Sequence, residues 1–257
     1  MSKLMDMVWV CFTCRRDVGL LPLHAEAIRR VDPRGVIWYV VDKADEDMPL
    51  PDGCERRVTD WPRRGNLLGF PALVGILETL RDAAATGRVP VKVDSDVVMR
   101  GVGGLEHLRR GKTGMVGVCP GQLFCASGAC YGIAPHVVQE ILRFIESRAY
   151  WDAASIRVED ETISMMAALV SPPYGVTFLQ HRAPDGAWVL SSIFNKHHFQ
   201  DASLLVRCQA YVDCGDRKFL QWYQVAEDEL PNIKKQAMET VLQALSAPLH
   251  PRGKASL

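Results

Sequence analysis

Charge of one sign is what this sequence lacks: its 30 lysines and arginines balance 30 aspartates and glutamates, for a formal net charge of zero. A neutral chain casts no long-range field to recruit a polyanion, so bulk nucleic-acid binding is not expected. Only a local basic groove built on Arg15–Arg16, Arg56–Arg57 or Arg63–Arg64 stays open. Also missing is any apolar run long enough to cross a bilayer. The opening MSKLMDMVWVCFTCRRD has too short an apolar stretch, and no small-residue cleavage pattern, for a signal peptide. The expectation is a cytoplasmic protein without a membrane span. No internal repeat, low-complexity tract or Gly/Ser linker divides the chain, which predicts a single domain over residues 1–250 and a flexible tail over 247–257. Among the 8 cysteines, Cys11 and Cys14 form a CxxC, but no second CxxC or Cys-His pair at finger spacing follows. The pair is therefore read as packed, reduced thiols at the end of a strand.

What is present is an alternation of strand and helix signals. The apolar runs MVWVCFT (7–13) and GVIWYVVD (35–42) suit strands buried on both faces, with a helix between them that stops before Pro33. Pro71 fits the first turn of a helix whose Leu73, Ile76, Leu77 and Leu80 share a face, and a strand at Val89–Val93 follows. TGMVGV (113–118) and CASGACYGI (125–133) read as two further strands. Pro135 opens a helix with Val138, Ile141, Leu142 and Ile145 on one face, and another helix runs from about Glu159 to Val170 with Ile163, Met166, Ala167 and Val170 inward. Residues 175–215 carry no clear signal, and a last amphipathic helix is expected over 231–245. The pattern predicts an α/β fold, a mainly parallel (mixed) sheet flanked by helices with a Rossmann-like nucleotide-binding half. Ligands then sit at the carboxyl ends of the strands.

At one such end stands VPVKVDSDVVM (89–99), where a buried strand delivers Asp94 and Asp96 with only Ser95 between them. Unpaired buried carboxylates cost several kcal/mol or shift their pKa until they are neutral, so a cation is expected nearby. Hard divalent ions take oxygen ligands, and two carboxylates one residue apart can both reach an ion that also holds phosphate oxygens. A short Asp-x-Asp match also occurs as a solvated turn. VEDETIS (158–164) places Glu159, Asp160 and Glu161 at the start of a helix, where they suit general-base chemistry or simply the positive end of the helix dipole. In NKHHF (195–199) the adjacent His197 and His198 face opposite ways in an extended segment, so only one of them can join a shared metal.

The order of these pieces resembles the GT-A fold of nucleotide-sugar glycosyltransferases with a DxD motif. Thr13, Asp42, RRGNLLG (63–69), VDSD (93–96), SGACYGI (127–133), VEDETIS and NKHHF follow one another as that family's motifs do, from about residue 7 to 200. The resemblance implies a metal-dependent hexosyltransferase that moves a sugar from a nucleoside diphosphate sugar, a UDP-sugar being favoured, to an acceptor hydroxyl. It implies Mn2+ or Mg2+ on Asp94 and Asp96, completed by His197 with His198 and His181 as alternatives. It places Thr13 and Asp42 beside the nucleoside, Arg63, Arg64, Asn66, Asp94 and Ser95 at the diphosphate or sugar, and Asp160 or Glu159 as the base. The acceptor is left open between a glycan, a protein, a small molecule and a modified nucleobase. The turn DKADEDMP after the second strand and Ala129 in place of a second glycine depart from the family pattern.

Two rival chemistries use the same acids. A haloacid-dehalogenase-type phosphatase would make Asp94 a nucleophile and Asp96 a general acid. Its motif normally ends the first core strand, however, whereas here a complete β-α-β unit precedes it. A nucleotidyltransferase would carry a Gly-rich basic signature near the first strand, and none is present. A non-catalytic nucleotide-binding protein would have little need for the retained acids.

Overall fold

The computed structural model describes residues 5–61, 70–99, 102, 105–119, 128, 130–147, 159–170, 176–180 and 205–207. Met7–Phe12 (β1) and Val36–Asp42 (β2) lack polar alternation, the mark of strands covered on both faces, and every β1 side chain is buried. Leu21–Val31 (α1), with Pro22 in its first turn, connects them and stops before Pro33. Then come Glu55–Thr59 (β3), Phe70–Ala85 (α2), Val89–Val93 (β4), Val97–Met99 (β5) and Leu105–Arg109 (α3). Met115–Cys119 (β6), Cys130–Ile133 (β7), Pro135–Glu146 (α4), Glu159–Val170 (α5), Val176–Gln180 (β8) and Leu205–Arg207 (β9) follow.

Seven strands form one sheet in the order β3-β2-β1-β4-β7-β6-β8, in which β7 runs against both neighbours and the other pairs are parallel. The predicted mixed, mainly parallel sheet is therefore observed. β5 and β9 form a separate antiparallel ribbon that returns the later part of the chain to the segment just after Asp96. β3 was not anticipated. Its ERRVT sequence is exposed on both sides, so no apolar alternation marks it, and it pairs with β2 as an edge strand. The strand expected over 113–118 begins at Met115, because Thr113 turns its hydroxyl back onto Met115 O (3.1 Å) instead of extending the ladder. Of the stretch 125–133, strand is described only for Cys130–Ile133, with Gly128 in a turn.

The predicted helix faces are the buried ones. Leu73, Ile76, Leu77 and Leu80 of α2, Val138, Ile141, Leu142 and Ile145 of α4, and Ile163, Met166 and Ala167 of α5 all join the core, with Val170 at its margin. α2 packs against β1 and β4 and against both α4 and α5. Gly75 permits one close approach: a Cβ there would lie 2.4 Å from the Trp61 ring, which packs 6.0 Å from Phe12 at the end of β1. Cys11 is a core thiol whose pKa burial pushes up, and Cys11 and Cys14 are both free. The final tail and the helix expected over 231–245 lie outside the described residues.

Beneath the sheet, Tyr39 donates to Leu21 O (3.1 Å) and meets His24 Nδ1 at 2.9 Å, so α1 is fastened to β2 by a buried polar pair. Burial lowers the His24 pKa to about 4, against an opposing pull from Asp94. The native imidazole thus stays neutral over a range in which the unfolded chain, with a value near 6.5, takes up a proton. Stability is whole above about pH 6.5 and falls as the pH drops towards 4, by about 3 kcal/mol in all. Urea denaturation across pH 4–7 checks this. The slope should flatten in His24→Gln, and equal slopes in the two proteins would exclude His24 as the source.

Candidate functional site

Because β1, β2 and β4 are parallel, their carboxyl ends lie along one edge of the sheet. The chain leaves β1 for β2 on one side and returns to β4 on the other, which makes the gap between β1 and β4 the topological switch point. Thr13 follows β1 and Asp94–Asp96 follow β4, so the two flank this gap. The acidic segment is a tight turn closed by Val97 N–H donating to Asp94 O (3.1 Å), and it leads directly into β5. Ser95 and Asp96 are each 8% exposed and Asp94 is half-buried, so the turn is packed into the sheet end and does not stand free in solvent.

Asp17, which nothing in the sequence singled out, spans the gap. Its Oδ2 accepts from the Ser95 hydroxyl (2.6 Å) and from the Thr13 hydroxyl (3.3 Å). Two residues predicted at the nucleotide are thereby brought together by a third, 78 positions before Ser95. Asp42 ends β2, in register with Thr59 of β3, and starts the short helical turn Lys43–Asp45. Arg15 latches the loops after β1 and β2: its N–H donates to Asp45 Oδ2 (3.0 Å) and its guanidinium pairs with Asp45 and Asp47. Arg57 lies over the Trp38 ring and pairs with Glu55, and Arg56 donates to Met48 O. These arginines have local partners, so the basic groove finds no support at Arg15, Arg56 or Arg57.

The cation that the acidic strand end requires is in the strand itself. Strand geometry puts residues i and i+2 on the same face, and Lys92, 2% exposed, turns its ammonium onto Asp94 Oδ1 at 2.5 Å. The same ammonium donates to Gly128 O and lies 3.5 Å from Glu159 Oε1 at the start of α5. Burial alone would lower its pKa, but Asp94, Glu159 and Asp160 outweigh burial and hold it protonated beyond the usual lysine range. Glu159 is pushed up, chiefly by burial and further by Asp160 and Asp94, against the opposing pull of Lys92.

Asp160 is held differently. Its Oδ2 accepts Gly128 N–H (2.6 Å) and its Oδ1 accepts Glu161 N–H (2.8 Å), which fixes the plane of the carboxylate. The Gly128 turn is thus gripped from both sides, its carbonyl by Lys92 and its amide by Asp160. Asp94, Glu159 and Asp160 consequently belong to one cluster around the buried Lys92 ammonium, Glu159 buried and the two aspartates half-buried. Asp94 and Asp96 are hard oxygen donors at the switch point of the sheet, a donor set of the kind that fits a divalent cation sharing its shell with phosphate. Among the described residues no group of three or more His, Cys, Asp or Glu side chains is arranged to hold an ion. His181, His197, His198, Arg63, Arg64 and Asn66 lie outside the described residues. Among those described, no helix is long and apolar enough to cross a membrane.

No protein-family model and no curated protein matches the chain. Solved structures similar to it include the galactosyltransferase LgtC in complex with donor and acceptor sugar analogues, at 10% identity and TM-score 0.48 over 91% of this chain and 96% of that one. TarS 1–349 of S. aureus is similar at 12% identity and TM-score 0.46 over 94% and 73% of the two chains. The mannosyltransferase PcManGT from Pyrobaculum calidifontis, in complex with GDP-Man and Mn2+, is similar at 13% identity and TM-score 0.43 over 96% and 77%. Likenesses of this depth leave the chemistry to be argued from the chain's own residues.

Gly128 gives the cluster a direct test. A Cβ there would sit 3.2 Å from Glu159 Oε1 and 3.3 Å from Asp160 Oδ2, both tighter than ordinary packing, and 3.4 Å from Lys92 Nζ. Gly128→Ala should lower stability by about 1 kcal/mol or more, the scale of overpacking a closed site. Equilibrium urea denaturation measures it, and an unchanged midpoint would mean that the turn is loosely held.

Proposed function

We propose that the protein is a metal-dependent GT-A-type glycosyltransferase that moves a sugar from a nucleoside diphosphate sugar, a UDP-sugar in the first instance, to an acceptor hydroxyl. The observation that carries this reading is the Asp94-Ser95-Asp96 turn at the switch point of a mainly parallel sheet, tied through Asp17 to Thr13 at the neighbouring strand end. A parallel sheet binds nucleotides at such a point, and a pair of acids one residue apart there suits a metal diphosphate.

In this reading Asp94 and Asp96 hold Mn2+ or Mg2+, with His197 as the candidate third ligand. The bound ion supplies Lewis-acid stabilisation of the charge that grows on the departing diphosphate. Thr13, Asp17 and Asp42 line the nucleoside side, and Ser95, positioned by Asp17, sits at the phosphates. Asp160, its carboxylate oriented by two backbone N–H groups, takes the proton of the acceptor hydroxyl. Glu159 is the weaker base candidate, because its carboxyl group is buried and turned onto the Lys92 ammonium.

Metal-linked donor binding follows from the acid pair. Asp96→Asn should abolish Mn2+-dependent binding of a nucleoside diphosphate without unfolding the protein, since one hard ligand is lost and the diphosphate then faces the remaining acids unshielded. Calorimetric titration decides it, and affinity indifferent to both the mutation and a chelator would remove the metal from the account.

The base assignment makes a separate demand. Asp160→Asn should keep metal and donor binding but lose about 10²-fold or more in turnover, the usual scale of acid–base catalysis, with a smaller loss in Glu159→Gln. Should Asp160→Asn retain full turnover, Asp160 is not the base and its acidic neighbours only serve the helix start.

A further inference from the structure

Lys92 is a charged residue in a strand otherwise built of valine and proline, and burying an ammonium is costly unless it is fully partnered. Its partners lie on three separate pieces of chain: Asp94 two residues on, Gly128 in the turn before β7, and Glu159 at the start of α5. Gly128 in turn gives its N–H to Asp160. A continuous line of contacts thus runs from the strand end, through the lysine and the Gly128 turn, to the helix start.

We infer that Lys92 is a positioning residue that couples the two arms of the site, holding the Asp94 carboxylate and the Glu159–Asp160 start of α5 as one assembly before any ligand arrives. Three acids drawn this close repel one another, and an ammonium buried among them offsets that repulsion from inside. An apolar side chain at position 92 would fill the volume but leave the carboxylates to separate or to take up protons. The kinetic consequence rests on the proposed transferase, but the coupling itself does not.

Backbone amide exchange of the protein in chelator tests the coupling, read at Gly128 and at residues 163–165, the first amides bonded within α5. Lys92→Gln keeps a donor for Gly128 O but removes the charge. Asp94→Asn leaves the lysine in place and removes its partner on the other arm. Both variants should speed exchange at these amides by about tenfold or more while β1 and β2 keep their protection, the signature of local opening. Asp94→Asn decides the matter even if Lys92→Gln fails to fold. Removing a negative charge near Glu159 and Asp160 would by itself relieve repulsion and tighten α5, so loosening there has to pass through Lys92. Unchanged exchange at 163–165 in Asp94→Asn, or protection lost evenly across the sheet in Lys92→Gln, overturns the inference. In transfer assays Lys92→Gln should lower kcat by about tenfold or more, with any rise in donor KM coming from the Asp94 arm, and a change in KM alone contradicts a positioning role for the base arm. If no donor is ever turned over while the exchange pattern holds, the transferase reading fails and the coupling stands.

Discussion

One buried ammonium makes the acidic end of this sheet possible. Without Lys92, strand β4 would deliver Asp94 into a region already holding Glu159 and Asp160, with no other cation from the described residues paired to them to offset their repulsion. Charges removed from water survive only when paired and hydrogen-bonded. Lys92 satisfies both conditions, since its ammonium lies against the Asp94 and Glu159 carboxyl groups and donates a hydrogen bond to the Gly128 carbonyl. Among the described residues the cluster holds three acids to one lysine, and in the proposed function a metal ion would meet that surplus.

The sheet topology decides where that surplus charge is displayed. Reversal of strand order between β1 and β4 opens a gap at their carboxyl ends, and the tight Asp94–Val97 turn presents Ser95 and Asp96 beside it. Asp17 then ties the two sides by accepting hydrogen bonds from the hydroxyls of both Thr13 and Ser95. Each acid therefore has a distinct setting: Asp94 paired inward to lysine, Asp17 bridging the gap, and Asp160 oriented by backbone amides. Division of labour among chemically similar side chains is what a group-transfer site needs, since leaving-group stabilisation and proton removal occur at different atoms.

Much of the fold was legible because the buried elements carry strong periodic signals. The doubly covered strands β1, β2 and β4 and the inward faces of α2, α4 and α5 follow from apolar spacing, and Pro22, Pro71 and Pro135 mark first turns of helices. β3 was invisible for the opposite reason, since an exposed edge strand is held by backbone pairing and has no apolar face to announce it. At the site, the Asp-x-Asp and Glu-Asp pairs stand out by local spacing. Lys92 carries a signal as well, a lone charge in a buried strand on the same face as Asp94, but spacing alone does not say which acids it meets. Asp17 offered none, because its partnership with Ser95 depends on chain folding across 78 positions.

The central claim is that this strand end receives a metal-bound diphosphate, and a thermal-shift screen of nucleoside diphosphate sugars with and without manganese tests it most directly. The account predicts a rise in melting temperature for a nucleoside diphosphate sugar that requires manganese and vanishes in chelator. Stabilisation that persists unchanged in chelator, or manganese-dependent hydrolysis of simple phosphate monoesters with no response to nucleoside diphosphates, would contradict it.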